Sequence, residues 1–114
     1  MDLRVLDCLE KLTAVVPNMY YVSDGTWVIQ DGDIMSTIIV QPCIITIVNT
    51  IPDKIVSYAS SDFLTAIGAS IYNVYSQTND KDLKIVYKHF YEKLAHLGHE
   101  RIILLDMFFE DLKK

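Results

Sequence analysis

The sequence predicts an α+β fold: a mostly antiparallel sheet of five to six strands, with an N-terminal helix and two helices from the second half packed on one face. Three observations carry this. Between Met19 and Tyr58, short runs rich in Ile, Val, Thr and Tyr are separated by Asp-Gly and Pro-Asp pairs, the turn chemistry of hairpins. On either side of that section the apolar spacing changes to three and four residues, as in a helix with one buried face. Finally, 51% of the 114 residues are apolar and 22% charged, enough for a packed core and unlike a disordered chain. At this length the whole chain, 1–114, reads as one compact domain.

In order along the chain, Leu3, Leu6, Leu9, Leu12 and Val16 share a helical face, and Pro17 ends that helix by driving its predecessor out of the α region. Met19 to Ser23 and Thr26 to Gln30 flank Asp24-Gly25, whose residues suit the positive backbone angles of a tight hairpin. Asp31-Gly32 leads into a third strand, Ile34 to Val40. Cys43 to Asn49 continues the meander after Gln41-Pro42, and Ile55 to Tyr58 follows the turn at Pro52-Asp53. Ser60-Ser61-Asp62 offers an N-cap for a helix whose face is Leu64, Ile67, Ile71 and Val74. Asn79-Asp80 caps another, with Leu83, Val86, Phe90, Leu94 and Leu97 aligned and Gly98 at a left-handed end. The last expected element is a strand from Arg101 to Phe109.

Three of these strands have no polar alternation: Ile38-Ile39-Val40, Cys43 to Val48, and Ile102 to Leu105. Continuous apolar runs belong to strands covered on both faces. Three helices cover one face of such a sheet and leave the other. Either the sheet curls into a partial barrel or its second face docks on another chain, and docking is the expectation carried forward. In the last strand Asp106 marks the wetter side, because a buried carboxylate without a partner is costly. Alternation then sends Ile103, Leu105, Met107 and Phe109 to the core, and Ile102, Leu104 and Phe108 to the associating face.

Charge narrows the partners. Ten Lys and Arg against fifteen Asp and Glu give −5, and Arg4 and Arg101 are the only arginines. Nucleic acid and acidic membrane are excluded as partners on this balance, since both are held by clustered basic groups. Another protein, a basic one in particular, or a second copy of the chain fits better. The most apolar stretch, Ile34 to Val48, is interrupted by polar residues and falls short of the ~20 residues needed to span a bilayer. Met1-Asp2-Leu3-Arg4 does not open a signal peptide. Cys8 and Cys43 read as reduced, buried thiols, which places the chain in the cytoplasm.

Catalytic signatures are missing. The sequence holds no nucleophile elbow, phosphate-binding loop or dinucleotide fingerprint, so no catalytic residue, cofactor or metal is expected. Ser70, beside the mid-helix Gly68, reads as a small packing residue, and Gly68 as a point of close approach between helix and sheet. The alternative is a small enzyme or a ligand- or metal-binding domain. It would use Asp24, Asp31 and Asp33 in the turns with His89, His96 and His99 on and after the last helix. Against it, the aspartates suffice as turn residues and the histidines as a solvated helix face.

Tyrosine is abundant, with seven, and one tryptophan. Tyr72 and Tyr75 share one side of a helix, Tyr87 and Tyr91 stand four apart on the next, and Tyr20, Tyr21 and Trp27 flank the first Asp-Gly turn. Such side chains bring large contact areas at low entropic cost. Tyr72 and Tyr75 join Ile102, Leu104 and Phe108 as the expected binding residues.

Gly98, Glu100-Arg101, Leu104, Asp106, Phe109-Glu110 and Leu112 together resemble the end of the small adenoviral early-region proteins that assemble into nuclear filaments. The helical spacing from Leu83 to Leu97 departs from that family, and no function is carried over from it. The sequence thus leads to a non-enzymatic protein-binding module of inhibitor, immunity or viral host-interaction type, pairing through an apolar sheet face.

Overall fold

The computed structural model describes the backbone of residues 3–97 and the side chains of residues 5–94. The expected last strand with Ile102, Leu104 and Phe108, the helix end at Gly98, and His99 lie outside the described residues. Within them the order is α1 (Leu3–Val15), β1 (Met19–Ser23), β2 (Thr26–Asp31), β3 (Ile34–Val40), β4 (Ile45–Ile51), β5 (Lys54–Ser60), α2 (Phe63–Gln77) and α3 (Lys81–Leu97). The strands form one antiparallel meander, β1-β2-β3-β4-β5, and the fold is α+β as expected.

Local chemistry sets the turns and helix starts. Asp24 and Gly25 both take positive φ, 49° and 74°, the pairing that a two-residue hairpin needs. Gly32 has φ 59° at the first position of the Gly32-Asp33 turn, which joins Asp31 to its cross-strand partner Ile34. Asp62 caps α2, its Oδ1 accepting from the Leu64 and Thr65 amides. Asp80 caps α3 by accepting from Asp82 and Leu83. Each such cap contributes about 1 kcal/mol by satisfying amides that have no partner inside the helix.

The fourth strand starts later than the sequence suggested. Cys43 lies in the β3–β4 connection and is exposed, not buried in a strand. Pro42 has no N–H to extend the ladder, and the Gln41 amide donates to the Ile44 carbonyl at 3.0 Å, closing the turn before β4 begins. Cys8 does fit its expected setting: it is buried on α1, and burial pushes its thiol up to about 12, with the Asp7 charge acting in the same direction.

Register shows how the helices sit. The row Tyr21–Trp27–Ile38–Ile47–Tyr58 crosses all five strands on one face, with Met19–Ile29–Ser36–Asn49–Val56 beside it. α2 lies over this face against β3 and β4, α1 covers the β1 side, and α3 packs on α2. Ile29, Ile38, Ile47, Leu9, Leu12, Ile67 and Ile71 are wholly buried between the layers. Each contributes roughly 1.5–3 kcal/mol by leaving water. Tyr87 of α3 is also buried and donates its hydroxyl to the Pro17 carbonyl at 2.7 Å, tying the outer helix to the segment that enters β1.

Ser36, Asn49 and Ser70 pair with one another inside this layer, whereas the buried Tyr58 hydroxyl on the same face has no hydrogen-bond partner among the described residues. The Ser36 hydroxyl lies 2.7 Å from Asn49 Oδ1 and 2.8 Å from the Ser70 hydroxyl. With one proton on each hydroxyl, these contacts link β3 to β4 and to α2. Gly68 does not approach the sheet as expected. The nearest atom to a Cβ built there is Leu94 Cβ at 4.0 Å, so the glycine faces α3 with room to spare.

Candidate functional site

The other face of the sheet is made by the alternate residues of the same strands. Its rows are Tyr20–Val28–Thr37–Val48–Ser57, Ser23–Thr26–Ile39–Thr46–Ala59 and Gln30–Met35–Thr50–Ile55. Not one of these side chains is charged. None belongs to the hydrophobic core between sheet and helices, and Val28, although buried, stands outside it. At the margins of the face, Ile55 is 71% exposed and Tyr20 44%. A sheet face that ends in water ordinarily carries charged and polar residues in alternation, with lysines guarding the edges. This one has no charge: threonine, serine, tyrosine and glutamine stand among valine, isoleucine, alanine and methionine.

A bulge shapes one edge. Tyr21 pairs with Trp27 and Ser23 with Thr26, so Val22 is the extra residue on β1. On β5, the opposite edge, Ile55 and Val56 are both exposed. Among the described residues, β1 and β5 have a neighbouring strand on one side only, with apolar side chains beside the open edge, a combination that favours further strand pairing.

Of the expected binding residues, Tyr72 and Tyr75 lie away from this face, on the surface of the helical layer. They form a three-ring cluster with Tyr91 of α3, with centroids 5.0 Å apart for Tyr72 and Tyr91, 5.9 Å for Tyr72 and Tyr75, and 6.5 Å for Tyr75 and Tyr91. Lys84 Nζ sits 5.6 Å from the Tyr75 ring, within cation–π range. Beside the cluster an apolar groove of about 310 Å³ runs between α2 and α3, lined in part by Gly68, Leu64, Tyr72, Tyr91 and Leu94. The sequence put Tyr87 and Tyr91 on one helix side, yet only Tyr91 reaches this surface, because Tyr87 turns inward to Pro17.

The residues of the alternative reading are not brought together. Asp24 occupies the β1–β2 turn, whereas Asp31 and Asp33 stand at the β2–β3 turn. The six residues of β2 put roughly 17–20 Å between the two ends. Asp31 and Asp33 do line a cleft of about 400 Å³ with Gln77, Asn79 and Asp80. Two of its carboxylates already have structural tasks. Asp31 accepts from the Thr78 hydroxyl, which in turn accepts from the Asp80 amide at 3.2 Å, and Asp80 caps α3. His89 is an exposed residue of α3 with its ring edge-on to Phe90 at 5.7 Å. The His96 side chain lies outside the described residues. Among the described residues, no group of three or more His, Cys, Asp or Glu is placed to hold a metal ion. Ser70 is wholly buried against Ser36.

No described helix is long and apolar enough to cross a membrane. No family model matches the chain, and neither the curated proteins nor the solved structures contain a match. The resemblance read over residues 98–112 falls outside the described residues, and none of these comparisons supports it.

Proposed function

We propose that this chain is a non-enzymatic protein-binding module that pairs through the sheet face turned away from its helices, in the first instance with a second copy of itself. The observation that carries this reading is the absence of charge from that face in a chain of net charge −5. An interface that sets like charges against each other costs free energy. Two neutral faces meet without that cost, and the half-buried Met35, Ile39 and Val48 would lose the rest of their exposure to water. By sequence alternation Ile102, Leu104 and Phe108 belong to the same association. The tyrosine cluster at Tyr72 and Tyr75 is a second contact surface, on the opposite side of the molecule, for a different protein. A role of inhibitor, immunity or host-interaction type fits such a module.

Sedimentation velocity from low to high micromolar concentration tests the pairing. The reading expects a species of twice 13.1 kDa that persists on dilution. A species of 13.1 kDa throughout that range overturns self-pairing.

A further inference from the structure

The helical side of the molecule contains a cleft that the pairing face does not use. On α1, Leu6, Glu10 and Thr13 stand at successive helical turns, and across from them are Tyr21, Gly25 and Trp27 at the tip of the β1–β2 hairpin. The space between them is about 440 Å³, within the range of about 300–1,000 Å³ common for ligand sites. Gly25 brings no side chain to the rim. Its carbonyl accepts from the Val40 amide at 2.9 Å, which fixes the hairpin tip to β3.

The chemistry of the lining is selective. Trp27 is buried at the base and Tyr21 is exposed at the wall, their ring centroids 4.9 Å apart and their planes tilted by 56°. Glu10 is the one charged side chain among the described lining residues, and it forms no ion pair with any described residue. The neighbouring Lys11 is engaged with Asp7 at 3.2 Å. Thr13 turns its hydroxyl to the Leu9 carbonyl at 2.6 Å and so offers the cleft mainly its methyl group.

An anionic ligand would meet Glu10 and the acidic surface. A wholly apolar one would leave the exposed Glu10 carboxylate without a partner. A cation on an aliphatic stem satisfies every wall: methylenes against Leu6 and Tyr21, and a positive head beside the aromatic rings and the carboxylate. We infer that the cleft between α1 and the β1–β2 hairpin receives a lysine or arginine side chain from a basic segment of a partner protein. The site is separate from the sheet face and stands whether or not the chain pairs with itself.

Trp27 is the only tryptophan, so its emission reports on this cleft alone. The test titrates the protein with capped Ala-Lys-Ala and Ala-Arg-Ala peptides, using capped Ala-norleucine-Ala as the neutral control. Backbone amide shifts of α1 and the hairpin are followed in parallel. The expected result is a saturable response in which the cationic peptides bind about fivefold tighter than the norleucine peptide, the scale of one exposed cation–π or ion-pair contact. Glu10→Gln, at an exposed position that leaves the fold intact, should remove about two- to fivefold of that preference, as should added salt. Tyr21→Leu should weaken the cationic peptides and spare the neutral one. Equal binding of the lysine and norleucine peptides, indifference to Glu10→Gln, or silence in both emission and amide shifts overturns the inference.

Discussion

Ile47 and Val48 are neighbours on β4 and point to opposite sides of the sheet. Ile47 is wholly buried in the row between Ile38 and Tyr58, under α2. Val48 lies between Thr37 and Ser57 and is half-buried, away from the core. Both are β-branched, and both suit a pleated surface. What separates the faces is how each treats polarity. The covered face admits Ser36 and Asn49 because each finds a hydrogen-bond partner. The other face has threonines in place of charges. One face is covered by the described helices, and the other carries no charged side chain.

The largest expected effect comes from setting these two residues against each other. Ile47→Ala leaves a cavity under α2 and should cost about 2–5 kcal/mol in urea unfolding. Val48→Ala, measured at high dilution, should cost about 1 kcal/mol or less, because much less area returns to water. Equal losses would mean that both faces serve the fold alike.

Alkaline pH attacks the covered side selectively. Burial raises the hydroxyl of Tyr87 to about 12, with the Asp31 charge adding to the effect, and burial raises Tyr58 as well. Cys8 is raised to about 12. For each, the folded state holds its proton longer than the unfolded chain does. Their contribution is therefore complete below the unfolded values, 9.0 for Cys8 and 10.0 for the tyrosines, and is lost as pH rises above them, toward about 12 for Cys8 and Tyr87. Tyr87→Phe should lower stability by about 1 kcal/mol at neutral pH through loss of the Pro17 hydrogen bond. It should also flatten the decline between pH 10 and 12. Thermal melts across that range check both effects, and an unchanged slope would place the alkaline sensitivity elsewhere.

Much of this architecture was legible because local chemistry dictates it. Asp24-Gly25 and Gly32 demanded turns, Asp62 and Asp80 could cap only the helices that follow them, and Pro17 had to end α1. The fourth strand's start was misread because Cys43 and Ile44 continue an apolar run, while the turn that removes them depends on a backbone hydrogen bond between Gln41 and Ile44. The continuous apolar strands led to an expectation of cover on both faces, but register decides which residue lies on which face, and register is a property of pairs of strands. The cleft at Glu10 was illegible for a related reason. Leu6, Glu10 and Thr13 look like an ordinary helix flank until the β1–β2 hairpin stands opposite them. The tyrosine cluster was half visible: Tyr72 and Tyr75 share a helix, but Tyr91 joins them only through the packing of α3 on α2.

The smallest effect has the opposite sign. Gly68 sits inside α2 with its nearest neighbour at ordinary contact distance, so a methyl group fits without displacement. Gly68→Ala should stabilise by about 0.5–1 kcal/mol through the better helix propensity of alanine. Because this groove belongs to the helical layer, the substitution should leave the association state untouched. A change in association would move the pairing surface from the sheet to the helices.

The most direct test of the account places a charge at the centre of the neutral face. Val48→Lys stands in the middle row of the outer face, opposite Thr37 and Ser57. Sedimentation of wild type and variant side by side should give twice 13.1 kDa for the first and 13.1 kDa for the second, with the same far-ultraviolet circular dichroism. A lysine variant that keeps the doubled mass would contradict the account, because two copies joined across this face cannot bury that ammonium pair without separating.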